Sequence, residues 1–315
     1  MRNRAFRTAG IVLMMFSTGF ICYRLAKLDF SSKNIDLSVS SGIFLFLALI
    51  LQTLSVLFLG VLFARNVGKG AQDRKVPLRE AVLVYCRANL GKYIPGNVFQ
   101  YFERNLFFSA YGISHLDTVL ASLLEISALI LSAVVLSAVF GNFDVIREAI
   151  DTYGYIVPVF CVLAVVFLAL TVYFVRKKKK MLRTIINRLR ERGAVKLLAF
   201  DIVAYASVLL AMGVVMLISY FAMTDSTVTD PGLSTLLGAY IAAWLCGFVI
   251  IGAPGGIGVR EAVFSLIYIN TPYLDTVLAL SLLVRVISII ADILAYVISR
   301  ISVGGKKKDN KVQDN

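Results

Sequence analysis

Long apolar stretches separated by short polar ones make up most of this chain. A helix needs about 20 apolar residues to cross the roughly 30 Å hydrocarbon layer of a bilayer. Five stretches meet this requirement, at 8–28, 40–63, 116–140, 154–175 and 198–222. A sixth stretch, 275–299, also qualifies, although it contains Arg285 and Asp292. The pattern predicts an all-α polytopic membrane protein with about six transmembrane helices in a single integral membrane domain, 1–315.

The composition agrees with a chain that is solvated by lipid. It is 59% hydrophobic and 16% charged, with a mean hydropathy of +0.82, whereas soluble domains carry about 25% charged residues. The basic head and apolar run at the N-terminus resemble a signal peptide, but no small-residue cleavage site follows, and Arg24 and Lys27 come directly after the run. We therefore expect a retained signal anchor. The lysine-rich segment 304–315 is predicted to be a disordered tail.

A repeated sequence divides the chain into two halves. LDTVLASLL begins at Leu116, and LDTVLALSLL begins at Leu274. A Pro-Gly pair precedes each copy, Pro95-Gly96 in the first and Pro254-Gly255 in the second. Self-similarity of this kind indicates duplicated structural units. Each unit is predicted to contain two spans, a Pro-Gly element and a third span, over about 8–140 in repeat one and 154–300 in repeat two.

Clusters of positive charge orient these units in the membrane. The net charge is +13, and the run 176–196 holds ten basic residues and one acid. Lysine and arginine accumulate on the cytoplasmic side, which predicts that both termini and this run are cytoplasmic. The two units then cross in opposite senses, as an inverted-topology repeat. A nucleic-acid partner would also fit a basic chain, but basic clusters beside spans favour membrane topology and no nucleic acid.

The Pro-Gly pairs are predicted to be the turns of two opposed re-entrant helical hairpins. One hairpin consists of 78–93 and 95–111 and enters from the cytoplasm; the other consists of 234–252 and 256–270 and enters from outside. Two full crossings by 234–252 and 256–270 would preserve the same topology and remain an alternative. Broken backbone at membrane depth persists where it is buried in protein or lines a cavity, and such breaks are typical of transporter sites.

Two charged residues are predicted to lie near the middle of the bilayer. Glu125 and Arg285 fall about 12–16 Å along their spans at 1.5 Å per residue, where a charge is costly. Their positions in the repeat are nearly equivalent, so we expect them to meet or to share a water-filled cavity. The alternative is a buried ion pair that only holds helices together.

The stretch GAPGGIGVREAVF contains a second group of candidates. Glycine-rich backbone before a helix exposes N–H groups at the positive end of the helix dipole, which favours phosphate or carboxylate. Arg260 adds a guanidinium suited to phosphate, and Lys92 and Arg104 supply similar charge in the other half. The alternative is that the glycines permit tight packing while Arg260 reaches the headgroups. The glycines concerned are Gly255, Gly256 and Gly258.

The sequence contains no pattern typical of covalent catalysis. His115 is the chain's one histidine, and the four cysteines stand singly in apolar segments, so no metal site is predicted. The glycines at 255–258 lack the Lys-Ser/Thr ending and the preceding strand of a nucleotide-binding loop. We therefore expect no cofactor and no catalytic residues.

At these motifs the chain resembles a known family. GKYIPGNVFQ followed by Glu125, and later APGGIGVREAVF, are similar to the transmembrane region of lysylphosphatidylglycerol synthases, which defines a family of flippase-like proteins; the resemblance covers about 8–300. It implies a multi-pass protein of a prokaryotic-type plasma membrane that moves aminoacylated phospholipid between leaflets. The family's cytoplasmic transferase domain has no counterpart in this sequence, so lysyltransfer is not expected of it.

The expected function is therefore translocation of an anionic or aminoacylated phospholipid, or of a polyprenyl-phosphate-type lipid, between leaflets. In this hypothesis Lys92, Arg104, Arg260 and Arg285 hold the phosphate, and Glu125 takes an amine or a proton, with Glu261 beside them. One alternative is a catalytic or accessory component of phosphatidylglycerol lysyl transfer or polyprenyl-phosphate glycosyl transfer, with a soluble transferase supplied in trans. Another is a transporter of small solutes or ions.

Overall fold

The computed structural model describes residues 39–68, 76–93, 99–141, 194–223, 231–249 and 254–313, and these residues are helical apart from short turns. The α-helices are α1 (Val39–Gly68), α2 (Leu78–Asn89), α3 (Phe99–Ala110), α4 (His115–Phe140), α5 (Ala194–Met223), α6 (Leu233–Val249), α7 (Val259–Tyr268) and α8 (Leu274–Gln313). Single 3-10 turns occur at Leu90–Tyr93 and Pro254–Gly256. The prediction of an all-α membrane protein is confirmed at this level. The predicted spans 8–28 and 154–175, and Pro95 and Gly96, lie outside the described residues.

Within the part of the chain that the structure describes, four helices are long and apolar enough to cross a bilayer: Val39–Gly68, His115–Phe140, Ala199–Met223 and Leu274–Gly304. They coincide with four of the predicted spans. About half of each is buried inside the protein, while large apolar side chains such as Phe46, Val139 and Ile301 are exposed. Exposed apolar side chains in this number are expected where lipid is the solvent. α8 continues as helix to Gln313, into the segment 304–315 that the sequence predicts to be disordered.

The shorter helices form two hairpins. α2 and α3 lie side by side: Glu80 accepts a hydrogen bond from the Tyr111 phenol, which raises the pKa of Tyr111 above its ordinary value, and Arg87 stacks on the Phe107 ring at 4.4 Å. Near the turn, a methyl group on Gly91 would lie 3.1 Å from the backbone nitrogen of Gln100. α2 and α3 have 12 residues each, and a helix of that length spans about 18 Å, too little to cross a bilayer.

α6 and α7 form the second hairpin. α6 has 17 residues and α7 has 10. The two helices approach closely at the glycine turn, where a methyl group on Gly247 would lie 3.1 Å from the Cα atom of Gly256. Small residues at both positions therefore allow α6 to contact the backbone of the turn.

The two hairpins begin at opposite ends of α4. Tyr111, which contacts the first turn of α2, stands four residues before His115, where α4 begins. At the other end of α4, a methyl group on Gly238 in α6 would lie 2.7 Å from the backbone of Phe140 and Gly141. The turns at the far ends of the hairpins contact each other, with the Tyr93 ring against Gly255.

Each hairpin also packs along the last helix of the other half. α2 runs antiparallel to α8: Arg79 donates a hydrogen bond to the Ser302 carbonyl at 3.4 Å, and Asn89 donates to Asp292 at 2.8 Å. α6 packs in the same way against α4, beginning where α4 ends. Between them, α1 packs against α5, and the last turns of α1 contact the first turns of α5 through Arg65 and Asp201.

Candidate functional site

An ion pair buried in the first half joins α3 to α4. Arg104 Nη1 lies 2.5 Å from Glu125 Oε2, and their side chains are 2% and 4% exposed. The Tyr85 hydroxyl donates a hydrogen bond to Glu125 Oε1 at 2.7 Å. The guanidinium carbon of Arg104 lies 4.0 Å from the centre of the Tyr85 ring and 4.7 Å from that of Phe63. Glu125 thus has a cation and a phenol as partners, and aromatic rings surround the cation.

A second ion pair joins α7 to α8. Arg285 Nε donates to Glu261 Oε1 at 2.6 Å, and Arg285 Nη2 donates to the Gly256 carbonyl at 2.7 Å. Glu261 Oε2 accepts a further hydrogen bond from the backbone N–H of Gly258 at 2.8 Å. The carboxylate of Glu261 therefore stabilises the N-terminus of its own helix and occupies part of the position that the sequence predicts for a bound anion.

The two pairs occupy corresponding places in the two halves, with the charges exchanged. In each half one member lies on the helix after the turn and the other on the long helix that follows. The first half has its base at Arg104 and its acid at Glu125; the second has its acid at Glu261 and its base at Arg285. The two pairs differ in burial, because Arg285 and Glu261 are 10% and 14% exposed.

The sequence led us to expect that Glu125 and Arg285 meet or share a water-filled cavity. In the structure they do not pair with each other. Each has a nearer partner on the helix that precedes it in the chain. A local partner satisfies a buried charge without drawing the two long helices together, and an ion pair repays its desolvation when the geometry is close.

A third buried acid connects the two halves at the first hairpin's turn. Asp292 on α8 is 1% exposed, and Lys92 Nζ lies 2.7 Å from its Oδ2. Asn89 Nδ2 donates to Asp292 Oδ1 at 2.8 Å, and the Tyr93 hydroxyl donates to Oδ2 at 2.5 Å. The spacing 89, 92, 93 puts all three donors on one side of a helical turn. The sequence predicted Lys92 as a site residue but did not predict Asp292. The signal that could have identified Asp292 is its position inside an apolar span, where a charge is costly.

Arg260 differs from the other three cations of the predicted site. Among the described residues it has no carboxylate within 4 Å, whereas each of the other three has one. Its Nε atom, like that of Arg104, is buried without a hydrogen-bond partner. Its side chain lies on the glycine turn: a methyl group on Gly256 would be 3.1 Å from Arg260 Nε. The cluster thus contains four cations and three carboxylates, and the cation in excess is Arg260.

The predicted glycines allow the turn to adopt its shape. Gly255, Gly256 and Gly258 have φ angles of 58°, 75° and 83°, a region that side-chain-bearing residues rarely adopt. The turn aims the Gly256 carbonyl at Arg285 and leaves room for Arg260 beside it. The described residues contain no group of three or more histidine, cysteine and acidic side chains that could hold a metal ion.

In comparisons with known proteins, no family model and no curated sequence matches this chain.

Proposed function

We propose that this protein translocates a lipid with an anionic phosphate headgroup between the leaflets of a membrane. In this proposal the chain is an inverted-topology repeat, and its two short-helix hairpins are re-entrant from opposite faces. The observation that carries the proposal is the contact between the two hairpin turns. The hairpins and the long helices beside them carry three ion pairs, Lys92–Asp292, Arg104–Glu125 and Arg285–Glu261, and the further cation Arg260, inside an apolar helical body.

The exchange of packing partners supports the inverted repeat. The first hairpin packs along the last helix of the second half, and the second hairpin packs along the last helix of the first. The hairpins begin at opposite ends of α4 and meet at their turns, so both breaks lie between the two faces. Interrupted helices that converge in this way are typical of transporter sites near the bilayer midplane.

The distribution of polarity supports a lipid rather than a soluble substrate. The long helices expose apolar side chains on their outer faces, whereas the charged residues of the site lie inside. A lipid can keep its acyl chains in the surrounding bilayer while its headgroup crosses among the buried charges, which lowers the cost of moving a phosphate through hydrocarbon. The flippase-like resemblance of the sequence points to the same class of substrate.

The test is a transport assay in liposomes. The purified protein is reconstituted with fluorescent phosphatidylglycerol in both leaflets, and a membrane-impermeant quencher reports the fraction that reaches the outer leaflet. We expect the wild type to accelerate translocation over protein-free liposomes. Arg260→Gln should slow it at least about tenfold, since removal of one contact to a charged group costs about 1.5–3 kcal/mol.

Arg300→Gln is the matched control, because it removes the same charge from an exposed position on α8 and should leave the rate unchanged. Polyprenyl phosphate and lysylphosphatidylglycerol are tested alongside to rank the headgroups. A protein that is folded but accelerates none of these lipids contradicts the proposal. Uptake of a free anion without movement of lipid would assign it to solute transport instead.

A further inference from the structure

Among the four cations of the site, two have a carboxylate partner that would lose most of its stabilisation if a ligand took the cation. Arg104 is 2% exposed and is enclosed by Glu125 and aromatic rings. Arg285 donates two hydrogen bonds to Glu261 and one to the Gly256 carbonyl. A phosphate that took either cation would leave its carboxylate without a charged partner, which is strongly unfavourable for a buried ion. Only one hydrogen bond would remain, from Tyr85 to Glu125 or from the Gly258 N–H to Glu261.

The other two cations lie on either side of the junction between the hairpin turns. Lys92 Nζ is 5.3 Å from the centre of the Tyr93 ring, and that ring contacts Gly255 of the opposite turn. Arg260 lies against Gly256, the residue after Gly255. One cation from each hairpin therefore lies beside the contact between Tyr93 and the glycine turn.

Lys92 can leave its carboxylate without leaving it unsatisfied. Asp292 keeps hydrogen bonds from Asn89 and Tyr93 when Lys92 moves away. Lys92 is also the most exposed of the three paired cations of the site, at 27%, against 2% for Arg104 and 10% for Arg285. An ammonium has three donors on a flexible stem, so Lys92 can turn from Asp292 towards an incoming anion.

We infer that Lys92 and Arg260 form a phosphate-binding site at the junction of the two turns, that Asp292 holds Lys92 while the site is empty, and that Arg104 and Arg285 do not contact the ligand. This inference deepens the proposed function, on which it rests for the identity of the phosphate as a lipid headgroup. The chemistry recognised is a phosphate oxygen, from a lipid or from a free phosphate.

The experiment measures binding, not transport. The full chain is placed in nanodiscs of phosphatidylcholine and titrated with inorganic phosphate; a second series contains phosphatidylcholine with increasing phosphatidylglycerol. The chain's one tryptophan, Trp244, precedes Gly247 by one helical turn, and Arg260 packs against Gly247. Its fluorescence therefore reports on the site, with calorimetry as a second measure.

We expect saturable binding in at least one series. Lys92→Gln and Arg260→Gln should each weaken it at least about tenfold, a change of about 1.4 kcal/mol, and Arg300→Gln should leave it unchanged. Asp292→Asn should bind phosphate more tightly, because the competing carboxylate is gone. Lys92→Arg, which keeps the charge, shows whether a loss in Lys92→Gln comes from misfolding, since it should retain binding.

Several results would overturn the inference. They are the absence of saturable binding in both series, unchanged affinity in Lys92→Gln and Arg260→Gln, or an Asp292→Asn variant that binds no more tightly than the wild type. Loss of binding in the double variant Arg104→Met/Glu125→Leu would overturn the exclusion of Arg104. If the protein binds phosphate as expected but moves no lipid, the proposed function is contradicted and this inference is not. If it moves lipid without such binding, this inference is contradicted and the proposed function is not.

Discussion

Among the described residues of the site, each charge has a carboxylate or cation partner, apart from Arg260. Arg104 and Glu125 illustrate why this matters: a buried ion that loses its partner keeps its desolvation penalty and loses the attraction that offsets it. The pair contributes less to stability than its short distance suggests, because both ions had to leave water. Its effect is to hold α3 at a fixed height on α4.

At this scale we predict an asymmetry between single and double substitutions. Arg104→Met alone should lower the free energy of unfolding by about 3–5 kcal/mol, because Glu125 remains buried and charged. Arg104→Met/Glu125→Leu should recover most of that loss. The measurement is the thermal stability of the purified protein, with Arg300→Met as the exposed control. A double variant as unstable as the single one would show that Arg104 acts through packing against its aromatic rings.

Four short helices, α2, α3, α6 and α7, carry Lys92, in the 3-10 turn after α2, and three other residues of the site, and none of these helices is as long as the four apolar helices that could cross a bilayer. The turn before α7 requires glycine at position 256 for two reasons. Gly256 has a φ of 75°, and its Cα atom lies against Gly247. Close approach of this backbone to α6 brings the Gly256 carbonyl within reach of Arg285. The conformation of the turn and the ion pair on α8 therefore depend on each other.

For the elements we predict that Gly256→Ala destabilises the second hairpin. The added methyl group would lie 2.9 Å from the Gly247 Cα atom and would sit on backbone with a positive φ, a combination that costs about 2 kcal/mol or more. Gly42→Ala is the control, because that helical glycine has open space around it and alanine favours a helix by up to about 1 kcal/mol. Equal melting temperatures for Gly256→Ala and the wild type would contradict the close approach.

At the scale of the whole molecule, the two halves are interleaved rather than placed side by side. Each half supplies a hairpin that packs on the other half's last helix, so the described helices of each half take packing partners from the other. Asp292 shows the consequence for the site: the carboxylate comes from the second half and its three donors from the first. A movement of one half against the other would necessarily change these contacts.

The corresponding prediction concerns topology. In a background without Cys22, Cys86, Cys161 and Cys246, single cysteines are placed at Leu78 and Ile269, which are exposed at the outer ends of the two hairpins. A membrane-impermeant maleimide on intact cells should label Ile269→Cys and reach Leu78→Cys only after permeabilisation, because the hairpins enter from opposite faces.

Arg300→Cys provides the reference for this labelling. It stands two residues before Ser302, which contacts Arg79 at the start of α2, so it should behave like Leu78→Cys. Labelling of Leu78→Cys and Ile269→Cys from the same side would contradict the inverted repeat and the re-entrant hairpins together.

Apolar length was enough to locate the long helices. The stretches 40–63, 116–140, 198–222 and 275–299 each became a helix of the structure, because backbone in hydrocarbon must satisfy its own hydrogen bonds and a helix is the local way to do so. The break at Pro254–Gly256 was also predictable, since proline and glycine interrupt helices for reasons that lie within the residue itself. The same reasoning located Glu125 and Arg285 inside spans.

The partners of those charges could not be predicted. The equivalence of Glu125 and Arg285 in the repeat suggested that they pair, yet each pairs with a residue 21 or 24 positions earlier in the chain. Asp292 was visible as a costly charge, but Asn89 and Tyr93 gave no sign that they would hydrogen-bond to it from the other half. Helix periodicity predicts which face of a helix a residue occupies. It does not predict which side chains of a helix distant in the sequence will contact that face.

The sequence alone determines this protein's helical class, the positions of its long helices, its duplicated pattern and its candidate site residues. It can do so because hydrophobicity and backbone restraint act over a few neighbouring positions. The choice of ion pairs, the meeting of the two turns and the surplus charge at Arg260 were decided by the tertiary structure. They depend on how the halves interleave, since a buried charge is stabilised by whichever opposite charge the packing places within about 3 Å of it.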